Sequence, residues 1–333
     1  MDPDGFVIKN SGTRIFLAGG SRKGTLYAVY TFLEKYLGCR FYAPDAETVP
    51  ALKEIHLPGL TYADHPAFKD REVYYTVMED PDFLDKSRCD LMAWGNSRNW
   101  GLWVHTMFRL VPPEKYFKSH PEYYALFGGE RRKIRLCLSN PDARYWSVSQ
   151  MDTYGNCECP ECTAVNQLEG SPSGSFIEFL NKVAAAFPNK VISTLAYQFT
   201  RKPPLHVKPA SNVNIMLCTI ECDRHIPIDK DTSLGSFLSD NQGWSKIATD
   251  ILIWDYVIQF TNMIAPFPNF NVLQPNLQMF SKYGAGRIFE QGCHGTYSEN
   301  QELRSYLLSR LEWHIGHGGK SWIFVDELIV DKR

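Results

Sequence analysis

The sequence has no apolar run near the ~20 residues that a membrane span needs, so no membrane-spanning segment is expected. It has no excess of one charge: 35 Lys and Arg stand against 37 Asp and Glu, a formal net charge of −2. Without a basic surplus there is little to neutralise a polyanion, so nucleic acid is not an expected partner. The first residues, Met1-Asp2-Pro3-Asp4-Gly5, lack the basic start and apolar stretch of a signal peptide. A phosphate-binding glycine loop is missing too. Gly19-Gly20-Ser21-Arg22-Lys23-Gly24 precedes a helical pattern, but its spacing fits neither the P-loop nor the dinucleotide fingerprint. Nor is there a disulfide framework. The nine cysteines are an odd number, and six are scattered, mostly in apolar strand-like runs where cysteine acts as a small hydrophobe.

Aromatic side chains are plentiful, at 14 % of residues, with 8 Trp, 17 Tyr and 20 Phe. That is more tryptophan than a core of this size requires, and flat aromatic faces suit sugars. Hydrophobic residues at 44 % and charged residues at 22 % are ordinary for a soluble globular protein. The length of 333 residues allows one large domain with a small one beside it.

Residues 6–18 alternate around Asn10-Ser11-Gly12 and read as a hairpin. Residues 24–37 read as a helix with Leu26, Val29, Tyr30, Leu33 and Leu37 on one face, and Gly38 stands at the expected left-handed cap. Prolines and acidic residues crowd 44–66, which sets a boundary: residues 1–64 as a small αβ domain that is incomplete at its start, and 65–333 as a larger one. In the larger part, apolar runs recur at βα spacing. Strands are expected at Val73–Met78, Cys89–Trp94, Gly101–Thr106, Tyr145–Met151, Val191–Tyr197, Val213–Thr219, Ile251–Tyr256 and Arg287–Glu290. Helices are expected at Ser175–Phe187, Leu273–Tyr283 and Gln301–Trp313. Eight strands alternating with helices imply an α/β fold, a (β/α)8 TIM-type barrel. One junction is too short. Ile134–Leu138 is followed by only six residues before the strand at 145, whereas a parallel crossover takes a dozen or more. Either Ile134–Leu138 is an excursion outside the barrel, or the barrel lacks one helix near 140–145. Residues 112–126 read as a long loop with short helical turns.

Barrel active sites lie at the C-terminal ends of the strands. The residues expected there include Trp94, His105, Asp152, Tyr197, Glu221, Arg224, His225, Trp254, Asp255, Tyr256 and Glu290. Carboxylates beside aromatics are what a glycosidase needs: one acid protonates the leaving oxygen, a second carboxylate acts as base or nucleophile, and rings stack on the sugar. Asp152, Glu221 and Glu290 are the candidate catalytic carboxylates, and the other eight residues are candidates for substrate binding. Each has a blander explanation. Asp152 precedes a turn, Asp255 and His105 could be bonded core residues, and the tryptophans could be core.

Cys157-Glu158-Cys159-Pro160-Glu161-Cys162 packs three soft ligands into six residues. Structural zinc takes four Cys or His ligands, so a fourth would have to fold in from a distance. A structural zinc, a disulfide and free thiols all remain open. The expected catalysis needs no cofactor.

Several stretches resemble a known group of proteins. Gly24-Thr25-Leu26-Tyr27-Ala28-Val29-Tyr30-Thr31-Phe32-Leu33-Glu34 with Leu37-Gly38-Cys39-Arg40-Phe41-Tyr42-Ala43-Pro44 resembles the small αβ domain preceding the barrel of bacterial α-glucuronidases and β-N-acetylhexosaminidases. His120-Pro121-Glu122-Tyr123-Tyr124-Ala125-Leu126, Cys137-Leu138-Ser139-Asn140-Pro141, Ser147–Asp152 with the cysteine run, Trp254-Asp255-Tyr256 and Phe289-Glu290-Gln291-Gly292 resemble an uncharacterised, mostly Bacteroidetes-type family related to the α-glucuronidases. The resemblance covers nearly the whole chain. It implies a barrel behind a small αβ domain, a carbohydrate substrate and a periplasmic or secreted protein. It carries over no catalytic pair. The chain departs from the family pattern in the first strands of the small domain, in the helix near 140–145 and in Lys320–Arg333. The expected function is a glycoside hydrolase with two rim carboxylates; the alternative is a non-catalytic carbohydrate-binding protein on the same scaffold. Oligomeric state is not legible.

Overall fold

A computed structural model describes residues 1–92, 103–137, 149–232 and 237–316. Trp94, the expected strand residues 145–148, the 140–145 junction and Lys320–Arg333 lie outside the described residues.

The chain opens with the expected hairpin, β1 (Phe6–Ser11) and β2 (Arg14–Gly19), then α1 (Gly24–Leu37). Gly38 caps α1 at φ 75°, its N–H bonded to the Leu33 carbonyl. A second hairpin follows, β3 (Arg40–Ala43) and β4 (Ala46–Thr48), and then β5 (Thr61–Asp64). β5 pairs antiparallel with β1, giving the sheet order β2-β1-β5. The proline-rich stretch concealed this third strand. The most buried residues of α1 are Tyr27, Ala28 and Thr31 rather than the expected leucine stripe. Tyr27 and Ala28 pack with Phe6, Ile8, Leu60 and Trp313, while the Thr31 hydroxyl accepts from Arg88 at 3.0 Å. The helix therefore turns a face containing polar Thr31 inward because a buried guanidinium waits there.

Next come β6 (Asp70–Tyr74), α2 (Pro81–Lys86), α3 (Met107–Leu110), α4 (Pro113–Tyr116), β7 (Tyr124–Phe127) and β8 (Glu130–Leu136). The Asp80 carboxylate caps α2, accepting from the Phe83 N–H at 2.7 Å, so Asp80 serves a helix start. Among the described residues, β7 and β8 pair only with each other, so Ile134–Leu136 lies in a separate two-stranded hairpin. The remaining elements are α5 (Pro160–Glu169), α6 (Ser173–Ala186), β9 (Ile192–Ala196), β10 (Val213–Cys218), α7 (Phe237–Ile247), β11 (Ile251–Tyr256), α8 (Phe270–Lys282), β12 (Arg287–Gln291) and α9 (Gln301–Trp313). α6 buries Phe176, Phe179, Leu180 and Val183 as the spacing predicts, but Phe187 falls past its end and is half exposed.

Five strands form a parallel sheet in the order β6-β12-β11-β10-β9. β9, β10 and β11 are buried at every position, the pattern of a parallel sheet covered on both faces. The fold is thus mixed α/β, and among the described residues this sheet has five strands where eight are expected for a complete barrel. The other three expected strands are not extended ladders where they are described. After α2, Arg88 turns the chain at φ 60°, and 89–92 carries no strand. His105 sits at φ 54°, which breaks an extended run just before α3. Residues 149–151 also lack a ladder; there Ser149 and Gln150 make side-chain bonds instead.

The chain divides into two compact units. One comprises Met1–Leu91, Tyr256–Ser281 and the described residues from Gly286 on; the other comprises the described residues of Met92–Asp255 with Lys282–Ala285. The whole 1–64 segment lies in the first unit. Its core gathers Val73, Tyr75, Phe83, Cys89, Leu273 and Leu308. No described helix is long and apolar enough to cross a membrane.

Candidate active site and a cysteine cluster

In the second unit, the ends of the parallel strands hold a set of polar groups. β9 runs into Tyr197, whose hydroxyl donates to Asp152 Oδ1 at 3.1 Å. The Gln198 amide reaches the same oxygen at 3.5 Å, from a residue held at φ 51°. Asp152 is exposed, while Tyr197 is buried. Burial, and then the Asp152 charge, push the Tyr197 phenol well above its ordinary range, so it stays a proton donor to that carboxylate.

β10 ends at Cys218 and leads to Thr219 and Glu221. Glu221 is half-buried and pairs with Arg201 Nη1 at 3.3 Å. The Nε of the same guanidinium holds Asp240 at 2.8 Å. The Cys218 thiol is raised by burial and then by Glu221 and Asp152. Both carboxylates therefore bear on the end of one strand. The Cys222 thiol is raised by burial and then by Asp255, with Asp231 and Glu221 adding and Arg201 opposing. Asp255, at the end of β11, is buried and accepts from the Thr219 hydroxyl at 2.5 Å. Tyr197, Glu221 and Asp255 follow or end β9, β10 and β11, and Asp152, which follows no described strand, joins this region through Tyr197.

The other expected binding residues are placed differently. His105 Nδ1–H donates to the Gln150 carbonyl at 2.9 Å, which fixes its tautomer, and its main-chain N–H donates to Ser149. Gln150 in turn donates to Thr200 at 2.8 Å and to the Tyr197 carbonyl at 3.2 Å. His105 therefore braces the loop that leads to Asp152. Trp254 is buried and packs on Trp103, with ring centroids 5.4 Å apart. Arg224 Nη2 donates to the Ile220 carbonyl at 2.8 Å, and exposed His225 pairs with Asp223.

In the first unit, Glu290 is 1 % exposed within β12, beside Val73 of β6. Tyr256 is buried and meets Phe260 edge-on. Tyr74, at the end of β6, stacks on His294 with centroids 4.4 Å apart, and His294 Nε2 lies 2.6 Å from Glu79.

Sequence reasoning missed Arg201, which organises Glu221 and Asp240, because a lone arginine in Phe-Thr-Arg-Lys-Pro carries no motif. It also missed Gln150 and Thr219, whose value lies in contacts across strands.

The cysteine run has a fourth member. All nine cysteines are buried thiols. Cys137, just past β8, joins Cys157, Cys159 and Cys162, and the four sulfurs lie within 4.8 Å of one another. Cys137 and Cys159 are 3.6 Å apart, far beyond the ~2.05 Å of a disulfide. A neighbouring hollow lined by Leu136, Gln150, Cys157, Cys162, Phe176 and Phe199 has a volume of 20 Å³, room for about one water and none for a sugar.

No curated protein matches the chain. It is similar to a solved structure described as a GH138 enzyme targeting pectin rhamnogalacturonan II, with a TM-score of 0.33 and 8 % identity. That match covers 98 % of this chain, which spans only 46 % of the other. A family match covers residues 41–144 and 139–317, most of the sequence, and by it the chain belongs to the family described as Domain of unknown function (DUF4838).

Proposed function

We propose that this chain is a carbohydrate-active enzyme, a glycoside hydrolase in which Asp152 and Glu221 form the reacting pair. The observation that carries this reading is that Asp152, solvent-exposed, is oriented by the Tyr197 hydroxyl just after β9, while half-buried Glu221, just after β10, is held by Arg201. Asp152 is the acid that protonates the leaving oxygen, oriented by Tyr197 and Gln198. Glu221 is the base or nucleophile, held by Arg201. The Thr219 hydroxyl, bonded to Asp255, ties the end of β10 to that of β11. Glu290 is the third candidate carboxylate, and a closed (β/α)8 barrel with the small αβ domain of 1–64 before it is the finer form of the fold. An α-glucuronidase-like or hexosaminidase-like specificity is the finer form of this proposal.

A second reading is a non-catalytic carbohydrate-binding protein. It is favoured by the Arg201 bridge, since Glu221 and Asp240 sharing one guanidinium also makes a sound structural ion pair.

The test is a panel of activated aryl glycosides and pectin-derived oligosaccharides assayed with wild type, Asp152→Asn, Glu221→Gln and Glu290→Gln. Turnover by wild type and a loss of about 10²–10⁴-fold in kcat for Asp152→Asn and Glu221→Gln, with unchanged circular dichroism, supports the pair. A loss with Glu290→Gln but not Glu221→Gln removes Glu221 from the reacting role and gives it to Glu290. Glycan binding without turnover supports the second reading. Normal turnover in all three variants overturns the assignment.

A further inference from the structure

Four cysteines from two separate stretches converge in one apolar cluster. Cys137 ends the β7–β8 hairpin, Cys157 and Cys159 lie in the loop before α5, and Cys162 lies in its first turn. Their exposures are 3, 5, 1 and 2 %, and Ala125, Leu126 and Ile134 pack against them. Four buried sulfurs at this spacing are neither a disulfide nor a hydrophobic contact that requires sulfur. A tetrahedral zinc with Zn–S near 2.3 Å sets sulfurs about 3.8 Å apart, and the Cys137–Cys159 separation is 3.6 Å.

We propose that Cys137, Cys157, Cys159 and Cys162 hold one zinc ion as a closed structural tetrathiolate that fastens the β7–β8 hairpin to the start of α5. On binding, four thiols would release four protons, leaving a centre with a formal charge of −2. The surroundings suit that charge. The Leu126 N–H donates to Cys157 Sγ at 3.4 Å, the outer hydrogen bond that steadies a thiolate ligand. The Arg131 guanidinium hydrogen-bonds Cys137 and also lies near Cys157 and Cys159, so a fixed cation borders the cluster. Pro160 and Cys159 start α5, which turns Cys162 back toward the other sulfurs.

The metal would add to the packing that already holds the hairpin, where Tyr124 is fully buried and meets Phe117 edge-on. The hairpin pairs with no third strand among the described residues, and an isolated two-stranded hairpin is marginal in water. Its ties to the neighbouring loop include Glu158 N–H to the Leu126 carbonyl at 2.7 Å, Gly128 N–H to Glu158 at 2.8 Å, and Thr153 Oγ1 to the Ile134 carbonyl at 3.2 Å. The last of these adjoins Asp152. A metal here would hold the loop that presents Asp152 without touching substrate. A closed four-sulfur shell has no open position for catalysis.

The experiment is metal analysis by inductively coupled plasma mass spectrometry on the full chain, purified without chelator. The expected result is one zinc per chain in wild type, near zero in Cys137→Ser, and one per chain in the control Cys39→Ser, a buried cysteine outside the cluster. If Cys137→Ser is insoluble, a mercurial titration of wild type takes its place, with zinc released as the cluster thiols react. Cobalt exchange should then give the charge-transfer and d–d bands of a tetrahedral tetrathiolate. Folded wild-type protein without metal, stoichiometric iron in place of zinc, or zinc retained in Cys137→Ser each overturns the proposal. These readouts do not depend on glycoside turnover, so the metal site and the hydrolase reading fail separately.

Discussion

In the first unit, ionised side chains are buried against one another. Glu34 of α1 is held by both Arg88 and Arg310, and fully buried Arg71 meets Asp4 at 3.0 Å. In the second unit, two of the candidate carboxylates keep access to solvent: Asp152 is exposed and Glu221 is 25 % exposed, while Asp255 is buried. Their partners are a phenol, an amide and one shared arginine. The contrast separates two uses of charge. A carboxylate locked between two buried guanidinium groups has no freedom to react and serves the scaffold. One that faces solvent and is only oriented by its neighbours can meet a substrate. Stability tests should therefore strike hardest in the first unit, and activity tests in the second.

The largest effect is expected at Glu34. Burial alone would raise its carboxyl, but Arg310 and Arg88 outweigh burial and hold it at about 2. Glu34→Gln strands two buried arginines and should cost about 3–5 kcal/mol in urea unfolding. The pH dependence has a definite sign. A depressed carboxylate contributes stability that is present above the unfolded value, near 4.5, and is lost as pH falls toward about 2. Wild type should lose stability across that window more steeply than the variant; equal slopes would remove Glu34 from the account.

Glu312 reverses the sign. It is fully buried, and burial dominates over the nearby Arg71, so its carboxyl is raised well above the usual range. Its contribution is intact below the unfolded value and is lost as pH rises through the folded one. Relative to wild type, Glu312→Gln should therefore be more stable at pH 8 than at pH 4, read from the difference in unfolding midpoints.

In the second unit, Tyr197→Phe should change stability by only about 1 kcal/mol. On the hydrolase reading, it lowers kcat/KM about tenfold through loss of the bond to Asp152. A large loss of stability with unchanged kcat/KM would erase the contrast between the units. The smallest effect is expected for Lys86→Ala, which removes a partly exposed pair with Glu47 and should cost less than about 1 kcal/mol by thermal denaturation.

Local pattern was a good guide where a segment's partner is simply the apolar interior. α6 follows its hydrophobic spacing, and the Gly38 cap follows from the end of α1. It failed where the partner is polar. The inward face of α1 contains Thr31 because Arg88 lies opposite, and no periodicity of α1 shows that. The expected strands at 89–94 and 101–106 looked apolar enough, yet Arg88 and His105 occupy left-handed backbone conformations that sequence composition does not reveal. Among the candidate residues, Asp152, Glu221, Asp255 and Tyr197 were proposed from their position after apolar runs. Arg201 was not, because its role comes from bridging Glu221 and Asp240 across 20 and 39 residues of chain.

The sequence by itself determined the α/β class, the excursion hairpin as one of two open readings, the strand-end carboxylates and three closely spaced cysteines. These are local facts, set by spacing within a few residues. Only the tertiary structure decided that the cysteines number four, since Cys137 reaches Cys159 across 22 residues when the hairpin folds back. It also decided which carboxylates are locked and which are accessible. Burial and the placement of arginines do that, and both depend on segments brought together from distant parts of the chain.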